Sequence, residues 1–511
     1  MKAALILLWF VPCADAEFPA QLVVEAEEVV YSYESLENGS GPLWCHGSTC
    51  LVRLGERTFA TGIERIPNLK PLNNCRWNLY ERTEDGWKCR YTDTEHRTRE
   101  PSPMAAFHDG RIFVSANPTL APLNVYGGPA RPEIACFSAA DPASGPEILL
   151  PKWSGEPPFT EHSYRSFAAD GKRGELILFQ NIGYTHAEWA FLDGEGTWAA
   201  AGRLDWPWGA DYEEPQPIRT CYPAVALKDR AVYFFGVSDI VEPNSAWRAY
   251  KKELTGRDWD YDFRRLFYTS CPDIATGKFV PWIEVAGREE TGGGVMPGDL
   301  YVADDGRVFL LWRERAIDER LREKFFPQAK QSHSIRLAVV RDGAVCVLRT
   351  LCESVEGESS LAFGTPRFHV TDDGRLFALF YLGGSDENGT AVNENRLLAL
   401  DADGAVVGAT KIPFQTPLSD FFTATPRAGS LPSRTLEMLG APGGIGGRID
   451  YRRVRLGPPA METKRDAAHA RSVADPDLLN EPARLRLPQH PQRSRGIFKL
   501  VPSSRERKRL L

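Results

Sequence analysis

No apolar run in this chain is long enough to cross a bilayer, which takes about 20 consecutive apolar residues in a helix. Cysteine never occurs as a CxxC pair, so a zinc site of that kind has no support. HExxH, GxSxG and EF-hand loops are missing, which removes the commonest metalloprotease, serine hydrolase and calcium signatures. The glycine run ending at Gly294 lacks the Lys-Ser of a phosphate loop. Positive charge is not in excess either. The formal net charge is -7 over 511 residues, whereas a nucleic-acid partner calls for a basic field. Extended helical periodicity is nearly absent.

What remains is apolar, aromatic and rich in turns. Hydrophobic residues make up 42% and include 26 Phe and 13 Trp, enough for a sizeable core. Residues 1–16 read as a signal peptide: a basic start, a short apolar run, then Pro12, Cys13 and Ala14-Asp15-Ala16. The expected product is secreted or periplasmic and monomeric, with no membrane span. Residues 17–457 then form the folded domain. Residues 458–511, rich in Arg, Pro, Ala and Gln, form a basic disordered tail. In an oxidising compartment Cys45 with Cys50, Cys75 with Cys89, and Cys346 with Cys352 are close enough in sequence to pair.

One pattern recurs: an apolar strand, a tight turn of Asp-Gly-Arg type, and a second strong strand. It reads LVRLGERTFATG from Leu51, AAFHDGRIFVSA from Ala105 and FAADGKRGELILF from Phe167. It returns as VALKDRAVYFFG from Val225, YVADDGRVFLLW from Tyr301 and FHVTDDGRLFALF from Phe368, with a degenerate copy between Arg434 and Leu456. Asp-Gly supplies the positive φ angles of a hairpin turn. A spacing of roughly 55 to 75 residues suits the longer propeller repeats. The expected fold is all-β, a propeller of about seven blades, with the strand near Gln21 to Tyr33 closing the ring on the last blade. Short helical insertions are expected near Ala316 to Phe326 and Ala246 to Leu254. Tandem sandwiches are the structural alternative.

The turn arginines, Arg57, Arg111, Arg173, Arg230, Arg307 and Arg375, serve as a ruler along each first strand. Eleven residues before them lie His46, Glu100, His162, Arg219, Met296 and Gly364. Eight residues before them lie Thr49, Pro103, Arg165, Tyr222, Asp299 and Arg367. These positions should ring the channel mouth. His162, Tyr164, Arg165, Arg219 and Tyr222 concentrate there, and the next strand exits the same way at Asn181, Tyr184, His186 and Glu188. Such a mouth suits a carboxylate or sulfate. His titrates near neutrality, and a Tyr beside Arg can have its pKa lowered. Catalytic candidates are His162, Tyr222, His186 and Tyr164. Substrate-binding candidates are Arg165, Arg219, Arg367, Asn181, His46, Glu100 and Asp299. The stretch from Trp247 to Phe267 reads either as a sugar-contacting loop or as an insertion packed on the rim.

The hairpins and the His/Tyr/Arg set resemble sialidase-like (BNR-type) propellers from Val23 to Leu456, including propeller-type polysaccharide lyases such as ulvan lyases. That resemblance implies β-elimination on an acidic, uronate-containing polysaccharide. His162, His186, Tyr222 and Arg219 or Arg165 would neutralise the carboxylate and remove the C5 proton. The reaction asks for no metal or other cofactor, although a His cluster could hold a divalent ion. The chain departs from sialidases in lacking S-x-D-x-G-x-x-W boxes; LDGEGTW at Leu192 comes nearest, with the wrong glycine spacing. A triad of Arg165, Arg219 and Arg367 keeps hydrolysis of an acidic sugar open, with Glu100 or Asp299 as acid or nucleophile. A non-catalytic glycan-binding propeller is the third reading.

Overall fold

The computed structural model describes residues 21–45 and 47–458. The signal-peptide segment, His46 and nearly all of the basic tail lie outside the described residues. Among the described residues, seven sheets of four or five strands each run outward from an inner strand, beside two short two-stranded ribbons. The inner strands are Leu51–Leu54, Met104–Ala106, Ser166–Asp170, Thr220–Lys228, Gly292–Val302, Arg367–Val370 and Leu418–Thr423. They are numbered here as blades 1 to 7 in that order.

In blades 1 to 6 each inner strand turns into a second strand at the predicted hairpin, as in Ser166–Asp170 against Glu175–Ile182. Gly110 (φ 96°) and Gly306 (φ 83°) occupy two of these turns, where a side chain would strain the backbone. Blade 4 makes the same turn without glycine, through Asp229 (φ 49°) and Arg230 (φ 69°). The degenerate repeat is shifted from its expected place. In blade 7 the stretch from Arg434 to Leu456 falls on the second and third strands, Thr435–Pro442 and Arg448–Leu456.

Ring closure is visible in both pairing and packing. Leu22–Ser32 runs antiparallel to Arg448–Leu456, from Leu22 opposite Leu456 to Ser32 opposite Arg448. The first strand therefore completes the last blade. One apolar cluster fills each blade interface, from Val52 and Val114 between blades 1 and 2 round to Leu51, Val30 and Phe422 between blades 7 and 1. Tandem sandwiches would have no such seventh interface. Each buried Phe, Leu or Val in these clusters contributes about 1.5–3 kcal/mol relative to exposure.

The helices Ser245–Thr255 and Glu319–Phe325 follow the second strands of blades 4 and 5. Asn244 caps the first by accepting from the Trp247 N–H, and Gly256 ends it in a left-handed conformation. The expected ambiguity of the Trp247–Phe267 stretch thus resolves towards a packed rim insertion. Trp247 is buried, and Lys251 sits among Glu242, Asp260 and Asp318 at 2.7, 2.9 and 3.3 Å. Leu254 and Trp259 are its well-exposed large apolar groups.

The channel is closed at the rear, the turn side. Residues 425–430 are pinned there by hydrogen bonds from Ala169 N to Arg427 O and from Ala106 N to Ala428 O. Most of the predicted site residues lie at the front, where the inner strands begin. Among the described residues no helix is long and apolar enough to cross a membrane.

Two of the three expected cysteine pairs are excluded by register. Cys89 stands opposite Tyr80, and Cys75 bridges Thr98 instead. Cys346 and Cys352 lie on one strand six residues apart, about 20 Å at strand rise, far beyond disulfide reach. Cys45 and Cys50 do come together, as thiols with sulfurs 3.4 Å apart.

Candidate functional site at the front of blades 2 to 4

Two tyrosines flank the entry to the inner strands of blades 3 and 4, and both are held in the left-handed region: Tyr164 at φ 42° and Tyr222 at φ 49°. That conformation costs a non-glycine residue about 1–3 kcal/mol and persists only where surroundings enforce it. In blade 4 a register shift between Cys221 and Ala224 accompanies it. The result turns the rings towards each other, edge to face at 5.0 Å. Tyr222 also packs 6.0 Å from Phe263.

Beside them lies a carboxylate–imidazole pair. Glu100 Oε1 accepts from the Ser163 N–H (3.0 Å) and faces His162 Nδ1 at 3.0 Å, while Oε2 accepts from the Ser163 hydroxyl at 2.6 Å. Burial by itself would raise the Glu100 carboxyl. The hydrogen bond and charge of His162, the charge of Arg165 and the Ser163 hydroxyl outweigh it and hold the carboxyl at about 2. An ionised Glu100 can only accept, so the proton of a neutral His162 ring sits on Nδ1 and Nε2 is bare. The imidazole stacks on Trp44 at 5.2 Å and meets Tyr164 at 4.3 Å.

Arg165 completes the pocket, which is lined by Trp44, Cys45, Glu100, Pro101, Tyr164, Arg165 and Tyr222. It is 5% exposed and donates Nη2 to Pro101 O at 2.7 Å, yet its Nε and Nη1 have no partner. Desolvation lowers its pKa, opposed by Glu100. A buried cation with idle donors is costly unless something satisfies it.

Arg219 is placed differently. Its guanidinium bonds Asp239 Oδ2 at 2.8 Å and stacks 3.8 Å over Tyr184, whose hydroxyl meets that of Tyr261 at 2.8 Å. It also lies 5.3 Å from the Tyr164 ring, so it braces the tyrosines with its charge already paired.

The structure thus gathers His162, Glu100, Tyr164, Arg165 and Tyr222 round one pocket and sets Arg219 behind them. The other expected positions fall elsewhere. His186 bonds Glu188 (3.1 Å) and Thr185 (2.7 Å) opposite the outermost strand of blade 3, and burial lowers its pKa. Among the described residues none of its contacts reaches the pocket lining. Asn181 is buried, with its amide 3.7 Å from Cys221 Sγ. Arg367 bonds Gly298 O and Phe421 O inside the channel wall. Asp299 takes Arg427 Nε at 2.7 Å and the Phe368 N–H at 2.9 Å. Arg367 and Asp299 therefore tie blades 5, 6 and 7 together below the mouth, because Asp299 lies well inside the eleven-residue strand Gly292–Val302. A further expectation reverses: burial raises the pKa of both Tyr164 and Tyr222, and at Tyr164 the nearby Arg219 does not overcome it. Both hydroxyls stay protonated at neutral pH.

Trp44, Asp239 and Tyr261 are contributors that sequence reasoning missed. Trp44 sits two residues before the expected His46. Asp239 follows the end of a second strand, the position equivalent to the Asn181–Tyr184 exit in blade 3. No three His, Cys, Asp or Glu side chains gather as a metal site among the described residues.

No family model matches the chain, and no curated protein matches it in sequence. Among solved structures it is similar to the GH93 α-L-arabinofuranosidase of Fusarium graminearum in complex with arabinobiose, at 9% identity and a TM-score of 0.42, covering 84% of this chain and 98% of that one. It is also similar to the Penicillium chrysogenum α-L-arabinanase complexed with arabinobiose, at 10% identity and 0.38, again covering 84% and 98%. A Synechocystis apocarotenoid oxygenase matches at 13% identity and 0.39, covering 82% and 87%. Their activities differ, and likeness at this level assigns none of them to this chain.

Proposed function

We propose that the front pocket of blades 2 to 4 cleaves an acidic polysaccharide, by β-elimination at a uronate. The observation that carries this reading is that idle donors on buried Arg165 and a protonated Tyr222 line one pocket, with His162 stacked on its Trp44 and against its Tyr164. Arg165 would bind the uronate carboxylate and stabilise the enolate that forms when C5 loses its proton. His162 Nε2 takes that proton, and Glu100 stabilises the resulting imidazolium. The C4–O bond then breaks, the C4=C5 double bond forms, and Tyr222 protonates the departing oxygen. Each positioned proton transfer is worth about 10²- to 10⁴-fold.

Hydrolysis at the same pocket is the second reading, favoured by the ionised state of Glu100, which suits a base or nucleophile with Tyr222 as the acid. Product chemistry separates the two. Purified protein is incubated with polygalacturonate, alginate, a glucuronan and, as a neutral polymer, arabinan. An ultraviolet-absorbing unsaturated end from a uronate polymer is the expected result. Saturated reducing ends would replace elimination with hydrolysis, and binding without any new ends would leave a lectin-like propeller.

A further inference from the structure

A second cationic depression opens on the front of blade 5. Its residues alternate along one strand: Arg313 and Arg315 in Val308–Ile317 share a face by the two-residue period, while Glu314 points to the other. Glu314 is engaged there by Arg288 and Arg336. His333 stands directly across from Arg315 on the neighbouring strand. With Met296, Phe263, Ala362 and Phe363 these side chains line a cleft of about 320 Å³. Phe263 belongs to both places, since its ring lies 6.0 Å from Tyr222.

Charge in this cleft is only partly compensated: Glu314 also lines it, but its carboxylate is taken by Arg288 and Arg336. Several buried arginines elsewhere in the propeller have close carboxylates: Arg219 has Asp239, Arg264 has Glu242, and Arg427 has Asp299. Arg313 has one hydrogen bond, to the Phe363 carbonyl at 3.1 Å, and Arg315 has neither a hydrogen bond nor an ion pair among the described residues. Desolvation, with Arg315 adding to it, lowers the pKa of Arg313, which Asp420 opposes. Desolvation and both arginines likewise depress His333, against Glu319. Three like-charged or chargeable groups held together over an apolar floor favour an anion among them. Planar guanidinium forks suit the oxygen pairs of carboxylate and sulfate. The apolar floor of Phe263, Met296 and Phe363 matches the carbon face of a sugar ring.

We infer that the cleft of Arg313, Arg315 and His333 is a second anion-binding subsite, taking the carboxylate or sulfate of a sugar further along the glycan held at Tyr222. This deepens the reading above and rests on it for the identity of the chain. It predicts a preference for glycans carrying negative charge on more than one residue, and a length below which affinity falls.

The test is calorimetric binding of defined oligosaccharides at low and moderate salt: an oligogalacturonate hexamer, a chondroitin sulfate hexamer, a galacturonate dimer and an arabinan hexamer. Arg315 is exposed, so Arg315→Gln and Arg315→Lys should fold as the parent does. Arg341→Gln, an exposed arginine elsewhere on blade 5, controls for loss of net charge. Arg315→Gln should weaken an acidic hexamer roughly tenfold or more. Arg315→Lys should recover part of that loss, and Arg341→Gln should show none of it. The galacturonate hexamer being affected marks a carboxylate subsite; the sulfated hexamer alone being affected marks a sulfate one. Equal hexamer affinity in wild type, Arg315→Gln and Arg341→Gln overturns the subsite whatever the turnover. So does a wild type that binds neither acidic hexamer. If binding follows Arg315 while no uronate polymer is cleaved, the subsite stands and the elimination falls.

Discussion

Replacing Glu100 by Gln keeps the shape of the side chain and removes its charge. In the native protein that charge is held by His162, Arg165 and Ser163, which bring the carboxyl from 4.5 to about 2. At 1.36 kcal/mol per pH unit this difference is worth about 3 kcal/mol of folding stability. Its sign follows from the depressed pKa. The contribution is complete above the unfolded value of 4.5 and is lost as pH falls through about 2. Urea unfolding of the wild type should therefore weaken by about 3 kcal/mol more than that of Glu100→Gln between about pH 5 and pH 2. Catalysis should suffer separately. An amide no longer dictates which His162 nitrogen carries the proton, so turnover should drop about 10²- to 10⁴-fold at neutral pH, where the fold is intact. Parallel acid-stability curves for the two proteins would refute the reasoning, since Glu100 would then be no more stabilised as an anion than in the unfolded chain.

Asp239→Asn tests the brace behind the tyrosines. It leaves Arg219 buried without its carboxylate, and breaking such a pair typically costs about 3–5 kcal/mol; an unchanged urea midpoint would show that the pair is not holding the pocket wall. Removing residues 21–32 tests ring closure. The strand Arg448–Leu456 would keep its pairing with Thr435–Pro442 but expose its outer edge to association, so soluble yield and Tm should both fall. A truncated protein that melts like the parent would contradict the role given to that strand.

Much of the fold is legible because its signal is local. A tight turn, Asp-Gly in four of the six repeats, between β-branched and aromatic residues specifies a hairpin by backbone sterics, and six hairpins at similar spacing leave few ways to bury both sheet faces. Blade 7 is harder to read: its inner hairpin is split by residues 424–434, which fill the rear of the channel instead of making a tight turn. Counting back from the turn places Arg165, Arg219, His162, Glu100 and Tyr222 well. The same count misplaces Asp299 and Arg367. Residue number measures distance along a strand, whereas depth in the channel depends on strand length and on register shifts such as that between Pro297 and Asp299. Tyrosine acidity is illegible for another reason. Neighbouring Arg219 is visible in the chain, but the burial that outweighs it exists only after the blades pack. Arg313, Arg315 and His333 escape the count because they sit on second and third strands. Their alternation, R-E-R with the two arginines on one face, is nevertheless a readable strand signal.

Turnover by His162→Ala and Tyr222→Phe, measured beside the wild type on the best uronate polymer, bears most directly on the proposed acid–base pocket. Both variants should remain folded at neutral pH, His162→Ala with up to about 3 kcal/mol less stability because Glu100 loses that partner, and both should lose roughly 10²-fold or more in rate. Variants that fold normally and turn over at the parent's rate would place the chemistry elsewhere on the propeller.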